Sequence, residues 1–209
     1  MTHTVITIAR GHGSGGRRIG KRLAKELGFA FYDRELLRLA SEDSGINERL
    51  FAEADETMKN SLLFRVAKKV YKGDIIPPDR DDFVSNENLF NYQAKVIREL
   101  AQEGPSVIVG RCADFVLKDH ERLVRIYIHA PLETCIDRQE AMISLPRKTL
   151  EKQIVTTDKR RAAYYRYFTG RDWKDADHYD LCFDSSVLSE QKCVDLIRAY
   201  IAARFKEEP

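Results

Sequence analysis

The chain has 209 residues, 43 % of them hydrophobic, which suits one domain or one domain with a large insert. No apolar run approaches membrane-spanning length, so a membrane protein is not expected. Lysine and arginine number 35 against 33 aspartates and glutamates, a net charge of +2; that balance argues against a nucleic-acid binder and makes any basic site a local concentration.

Val5, Ile6, Thr7 and Ile8 read as a buried strand. Gly11-His12-Gly13-Ser14-Gly15-Gly16 follows, and then Ile19, Leu23, Ala24 and Leu27 recur at helical spacing. Strand, glycine-rich turn and helix in that order make a phosphate cradle: backbone N–H groups turn inward, and the helix start adds the positive end of its dipole. The spacing fits G-x-x-x-x-G-K-[ST], with Gly11 first and Gly16 sixth. Arg17 stands at the lysine position and still offers a fork of donors to phosphate oxygens. Arg18 and Ile19 stand where a small residue or Ser/Thr would be, and Ile19 cannot ligate magnesium. A glycine-rich turn in an unrelated α/β fold is the competing reading.

Gly28 stops the first helix, and Phe29–Tyr32 is a short second strand. Asp33 and Arg34 follow at its carboxyl end, where ligands collect in open α/β sheets; Asp33 equally suits a cap for the helix starting at Glu35. From Glu35 to about Gly104 the pattern is helical and uneven. It includes an apolar-faced stretch Ser61–Tyr71 with Lys68, Lys69 and Lys72, and a loop with Pro77, Pro78, Asp79 and Asp81. This block, about 35–104, reads as a helical insert between the second and third strands.

Ser106–Val109 is a continuous apolar run, expected as a central strand. It ends at Gly110-Arg111-Cys112-Ala113-Asp114, which again points to a ligand. Val124–Ile128 is the fourth strand, and Leu132 to about Ser144 a helix. Leu150 to about Phe168 is a long polar helix carrying Asp158, Arg160, Arg161 and Arg166; such a run is usually a solvated face. Tyr164, Tyr165, Tyr167 and Trp173 read as helix-pair packing, with stacking on a base as the alternative. Tyr179–Asp184 is the last strand and Gln191–Phe205 a closing amphipathic helix. Alternating elements with short apolar strands imply a parallel sheet covered on both faces.

Val5–Ile8 is too short for a secretion-signal core. The four cysteines, Cys112, Cys135, Cys182 and Cys193, form no C-x-x-C pair, and the five histidines show no metal-ligand spacing. A cytoplasmic chain with reduced, mostly core-filling thiols is expected.

The stretch ARGHGSGGRRIGKRLAKELGFAFYDRELL, the strand end VIVGRCADFVLKD, and KRRAAYYRYFTGRDW followed by ADHYDLCFDSS together resemble the cytidylate kinase-like family of P-loop nucleoside monophosphate kinases. The resemblance runs nearly end to end, from Val5 to about Ile201. It implies a three-layer α/β sandwich with a five-stranded parallel sheet, the helical insert, and an arginine-bearing lid at about 145–175. It implies transfer of the γ-phosphoryl of ATP, usually with magnesium, to a nucleotide or other small-molecule acceptor. Gly11, Gly13, Ser14, Gly15, Gly16, Arg17 and Arg18 would hold the donor phosphates. Asp33, Arg34, Arg111, Asp114 and Asp158 would hold the acceptor. Arg17, Arg160, Arg161 and Arg166 would act on the transferring group. The chain departs from the family pattern at Arg17, Ile19, Val109 and Cys112. Two other readings stay open: a nucleotide-binding regulator without chemistry, and a kinase for another small molecule.

Overall fold

The computed structural model describes residues 3–57, 74–78, 80 and 82–205. The elements begin β1 (Val5–Arg10), α1 (Gly16–Leu27) and β2 (Ala30–Tyr32). The helical block follows as α2 (Glu35–Ser44), α3 (Glu48–Thr57) and α4 (Asn86–Glu103). Then come β3 (Ser106–Val109), α5 (Ala113–Val116), β4 (Leu123–His129), α6 (Leu132–Glu140), α7 (Arg147–Thr169), β5 (Leu181–Asp184) and α8 (Glu190–Phe205).

The strands form one parallel sheet in the order β2-β3-β1-β4-β5. β1 is central because its apolar run can be buried on both faces. Ile6 and Ile8 pack with Ile19 and Leu23 of α1 and with Val194 and Ile197 of α8. Val5 and Ala9 belong to the opposite core, with Leu36 of α2, Phe51 of α3, Phe90 and Ile97 of α4, and Tyr164 of α7. Period-two alternation thus produces the expected three-layer α/β sandwich. β1 lies between β3 and β4, where successive connections leave in opposite directions. That is the crevice in which such sheets bind ligands.

Local chemistry sets the boundaries. Gly28, at φ 69°, closes α1 with its N–H on the carbonyls of Ala24 and Lys25. Phe29 donates its N–H to Ala24 O (2.9 Å), so β2 begins one residue later than expected. Ser85 caps α4 by accepting from Asn88 N–H at 3.2 Å. The Asn88 side chain then pins the preceding loop, accepting from Ile76 N–H (2.8 Å) and donating to Phe83 O (2.7 Å). α6 stops at Glu140, short of Ser144, and α7 starts at Arg147, three residues before Leu150, with Pro146 at its N-cap. Ala176–His178 forms a 3-10 turn, so β5 opens at Leu181 and not at Tyr179. The short helix α5 was not expected. The expected stretch Ser61–Tyr71, its neighbour Lys72, and Asp79 and Asp81 lie outside the described residues. Among the described residues, no helix is long and apolar enough to cross a membrane.

Candidate functional site

Parallel strands bring their carboxyl ends to one edge. The turn after β1, Asp33 after β2 and the Gly110-Arg111 turn after β3 therefore face one cavity of about 890 Å³. The β1 turn holds its shape internally. Ser14, fully buried, donates its hydroxyl to Gly11 O at 2.8 Å, and its N–H goes to the same carbonyl at 3.3 Å. Gly13 and Gly15 sit at φ 81° and 83°, the left-handed region that costs glycine nothing. A Cβ on Gly13 would also stand 2.8 Å from the Cβ of Cys135.

Gly11 N–H goes to Ile128 O (3.1 Å) and Gly16 N–H leans on Ser14 Oγ (3.4 Å). Among the described residues, the N–H groups of Gly13, Gly15, Arg17 and Arg18 have no protein acceptor. The first turn of a helix leaves such donors over, and they suit an anion. His12 N–H is different: it donates to Asp158 Oδ1 at 2.8 Å. Burial pushes the Asp158 carboxyl up, against the pull of the His12 N–H and Arg161. The His12 imidazole is pushed down, by burial and then by Arg161 and Arg10.

The expected arginines divide by what they touch. Arg17 places Nε on Asp33 Oδ2. Arg18 reaches outward to Glu190 at 3.3 Å, with its backbone still bordering the loop. Arg34, Arg111 and Arg160 line the cavity. Arg160 Nε is buried without a partner among the described residues. Arg111 and Cys112 both adopt positive φ, 60° and 53°, in the turn after Gly110. Burial pushes the Cys112 thiol up, so it stays protonated at neutral pH. Arg161 donates to Arg10 O at 3.0 Å and lies 3.5 Å from Asp158. Arg166 is not brought to the cavity; it pairs with Asp172 at 2.9 Å on the exposed side of α7.

The carboxylates are equally particular. Asp33 does not cap α2, whose N-cap is Arg34 with no side-chain cap bond; Asp33, 4 % exposed, is shared by Arg10 and Arg17. Asp114 accepts the Tyr165 hydroxyl at 2.6 Å, and burial pushes its carboxyl up. Tyr164, Tyr165 and Trp173 line the cavity while packing among themselves and with Tyr127, Phe90 and Phe168.

Sequence reasoning passed over Arg10 and Arg138, both on the cavity wall. Arg10 sits at a strand's carboxyl end, so the rule that singled out Asp33 and Arg111 reaches it too. Arg138 lies inside α6 and carries no such signal. Its Nη1 donates to Ser14 O (2.9 Å) and Ser185 Oγ (3.1 Å), and its Nη2 to Ser185 O (2.8 Å).

P-loop kinases generally use ATP with magnesium. The unpartnered amides fit a nucleotide's phosphates. Magnesium fits less well. It takes oxygen ligands, usually one or two carboxylates beside phosphates. Here Asp33, Asp114 and Asp158 are held by Arg10 and Arg17, by Tyr165, and by the His12 amide. The hydroxyl position, directly after Arg17, carries Arg18, and the next residue is the buried Ile19, so neither side chain offers an oxygen. Among the described residues, no group of three or more His, Cys, Asp or Glu side chains is placed to hold a metal. The donor set does not fit a magnesium ion held by protein side chains.

Compared with known proteins, the chain is similar to a cytidylate kinase of Methanopyrus kandleri, 25 % identical over 213 residues, covering 98 % of this chain and 96 % of that one. A crystal structure of an uncharacterized protein from Eubacterium ventriosum superposes at TM-score 0.69, with 24 % identity, 95 % of this chain and 98 % of that one. A shikimate kinase from Acinetobacter baumannii, in complex with shikimate, reaches 0.51 at 15 % identity, over 97 % and 95 % of the two chains. A gluconokinase from Sinorhizobium meliloti also reaches 0.51 at 15 % identity, over 99 % of each. These likenesses establish the fold of the P-loop kinases. Residues 5–187 match the cytidylate kinase-like family, and the chain belongs to that family.

Proposed function

We propose that the chain is an ATP-dependent kinase whose acceptor is a phosphate-bearing nucleotide of the cytidylate type. The observation that carries this is the cavity itself. Loop amides border one end, the Gly110-Arg111 turn the other, and arginines from β1, α2, α6 and α7 or their flanks line the space between. Two polyanions meeting head to head need that surplus of positive charge.

Gly13, Gly15, Arg17 and Arg18 hold the donor phosphates through backbone N–H groups. Arg34 and Arg111 hold the acceptor phosphate. Arg160 and Arg161 cover the reacting centre from α7. ATP supplies the γ-phosphoryl group. An acceptor phosphate oxygen forms a bond to the γ-phosphorus while the bond to the bridging oxygen breaks, and the electron pair leaves on the β-phosphate of ADP. Such transfers consist mostly of positioning and charge neutralisation. A well-placed arginine is worth about 10³ to 10⁵ in rate in GTPase systems.

The test is ADP formation with CMP, UMP, dCMP, AMP and GMP as acceptors, beside an Arg111→Ala control. The expected outcome is one pyrimidine monophosphate that accelerates ADP release about 100-fold over that control. If none does, the nucleotide-kinase reading fails. A second reading, nucleotide binding without chemistry, is favoured by the donor set's poor fit to magnesium. ATP binding that survives removal of magnesium, with no turnover for any acceptor, would select it.

A further inference from the structure

Arg10 is the last residue of β1 and the residue before Gly11. Its side chain crosses the floor of the cavity between the two halves of the site. On one side lies Gly16, where an added Cβ would stand 2.7 Å from Arg10 Cβ. On the other lies Gly110, at φ 80°, where a Cβ would stand 2.3 Å from Arg10 Nη1. The Arg10 side chain therefore runs through a channel, its stem beside Gly16 and its guanidinium beside Gly110, that a side chain at either position would close. One wall of that channel is the phosphate loop and the other is the acceptor-side turn.

The surrounding charges do not balance it. Asp33 Oδ1 lies 3.6 Å from Arg10 Nη2, but the same carboxylate also serves Arg17. Arg161 approaches from α7 and donates to the Arg10 carbonyl. Burial first, then Arg161 and Arg111, push the Arg10 guanidinium down to about 9, while Asp33 and Asp158 pull it up. A cation so poorly compensated gains from any anion placed beside it.

We propose that Arg10 is a catalytic residue, its guanidinium touching the phosphoryl group in transit between the Gly11–Gly16 loop and the Gly110-Arg111 turn. The proposal rests on the kinase reading and adds a residue to it. Arg160 and Arg161 reach the centre from a helix. Arg10 stands on the central strand and is aligned before substrate arrives. A preorganised charge of that kind acts on the transition state without reorganisation cost.

The experiment compares Arg10→Lys and Arg10→Ala with wild type, after thermal melting has shown that each folds. Turnover is measured with the best acceptor, and ADP affinity is followed by the fluorescence of Trp173, which lines the cavity. The expected result is a kcat lower by about 10² to 10³, with ADP affinity changed less than about threefold. Millimolar guanidinium should restore part of the Arg10→Ala rate, which a merely structural residue would not show. Should Arg10→Ala not fold, Arg10→Lys keeps charge and stem but loses the fork, and the same fall in kcat is expected. A folded variant with wild-type kcat, or full recovery on adding Asp33→Asn, overturns the role of Arg10 alone. A wild-type protein that turns over no acceptor overturns the kinase reading and this role with it.

Discussion

The Ser14 carbonyl accepts from the Ser185 hydroxyl at 2.5 Å and from Arg138 Nη1 at 2.9 Å. A trans peptide sends its C=O and its N–H in opposite directions. Fixing the Ser14 carbonyl on the α6 and β5 side therefore turns Gly15 N–H the other way. Removing the hydroxyl in Ser185→Ala should weaken ATP binding about tenfold, roughly 1.4 kcal/mol, by isothermal titration. Ser185→Thr, which keeps the donor, should restore it. Equal affinity in all three proteins would mean the peptide is held without Ser185. Gly11–Gly16, Asp33 and Arg111 were legible in the sequence because turns at strand ends carry their own signature. The tie on Ser14 was not legible: its partners lie 124 and 171 positions away, and their acceptor is a main-chain atom common to every residue.

Helix α7 shows how an element can be read correctly in kind and incompletely in role. Its charges suggested a solvated face and its tyrosines helix-pair packing; Tyr164, Tyr165 and Phe168 are buried in one core with α4 and the sheet. A single-strand pattern cannot reveal which helix will cover it. The β4–β5 edge was equally silent. Arg125 donates to Asp180 through its N–H (2.8 Å), Nε (3.1 Å) and Nη2 (2.8 Å), and Arg204 of α8 lies 3.0 Å away. Burial pushes the Asp180 carboxyl up, but these cations and the amide overcome it and leave it below the usual carboxylate range. The folded value is lowered, so the contribution to stability is complete above about pH 4 and fades as pH falls through the folded value. Asp180→Asn should therefore cost about 1.5–3 kcal/mol at neutral pH and flatten the acid limb of a stability profile. Urea unfolding between pH 3 and 7 measures both. A variant as stable as wild type at pH 7 would show the cluster contributes nothing net.

The layer order and the position of the crevice follow from burial alternation and short connections. Both are properties of many residues together, and hence robust to single departures such as Ile19 or Cys112. The acceptor is different, because it depends on a few side chains whose direction no pattern encodes. Ligand-linked stability tests the whole assembly at once. ATP at 100 times its dissociation constant should add about 2.7 kcal/mol, raising Tm by about 5–10 °C for a chain of this size. A calorimetric scan with and without nucleotide reads this, and an unmoved Tm would deny a nucleotide site. The carboxylate of Asp158 on the His12 amide has one more consequence. With Arg161 on the Arg10 carbonyl, it lashes the covering helix to the backbone of the turn itself, so roof and floor of the crevice share one mooring.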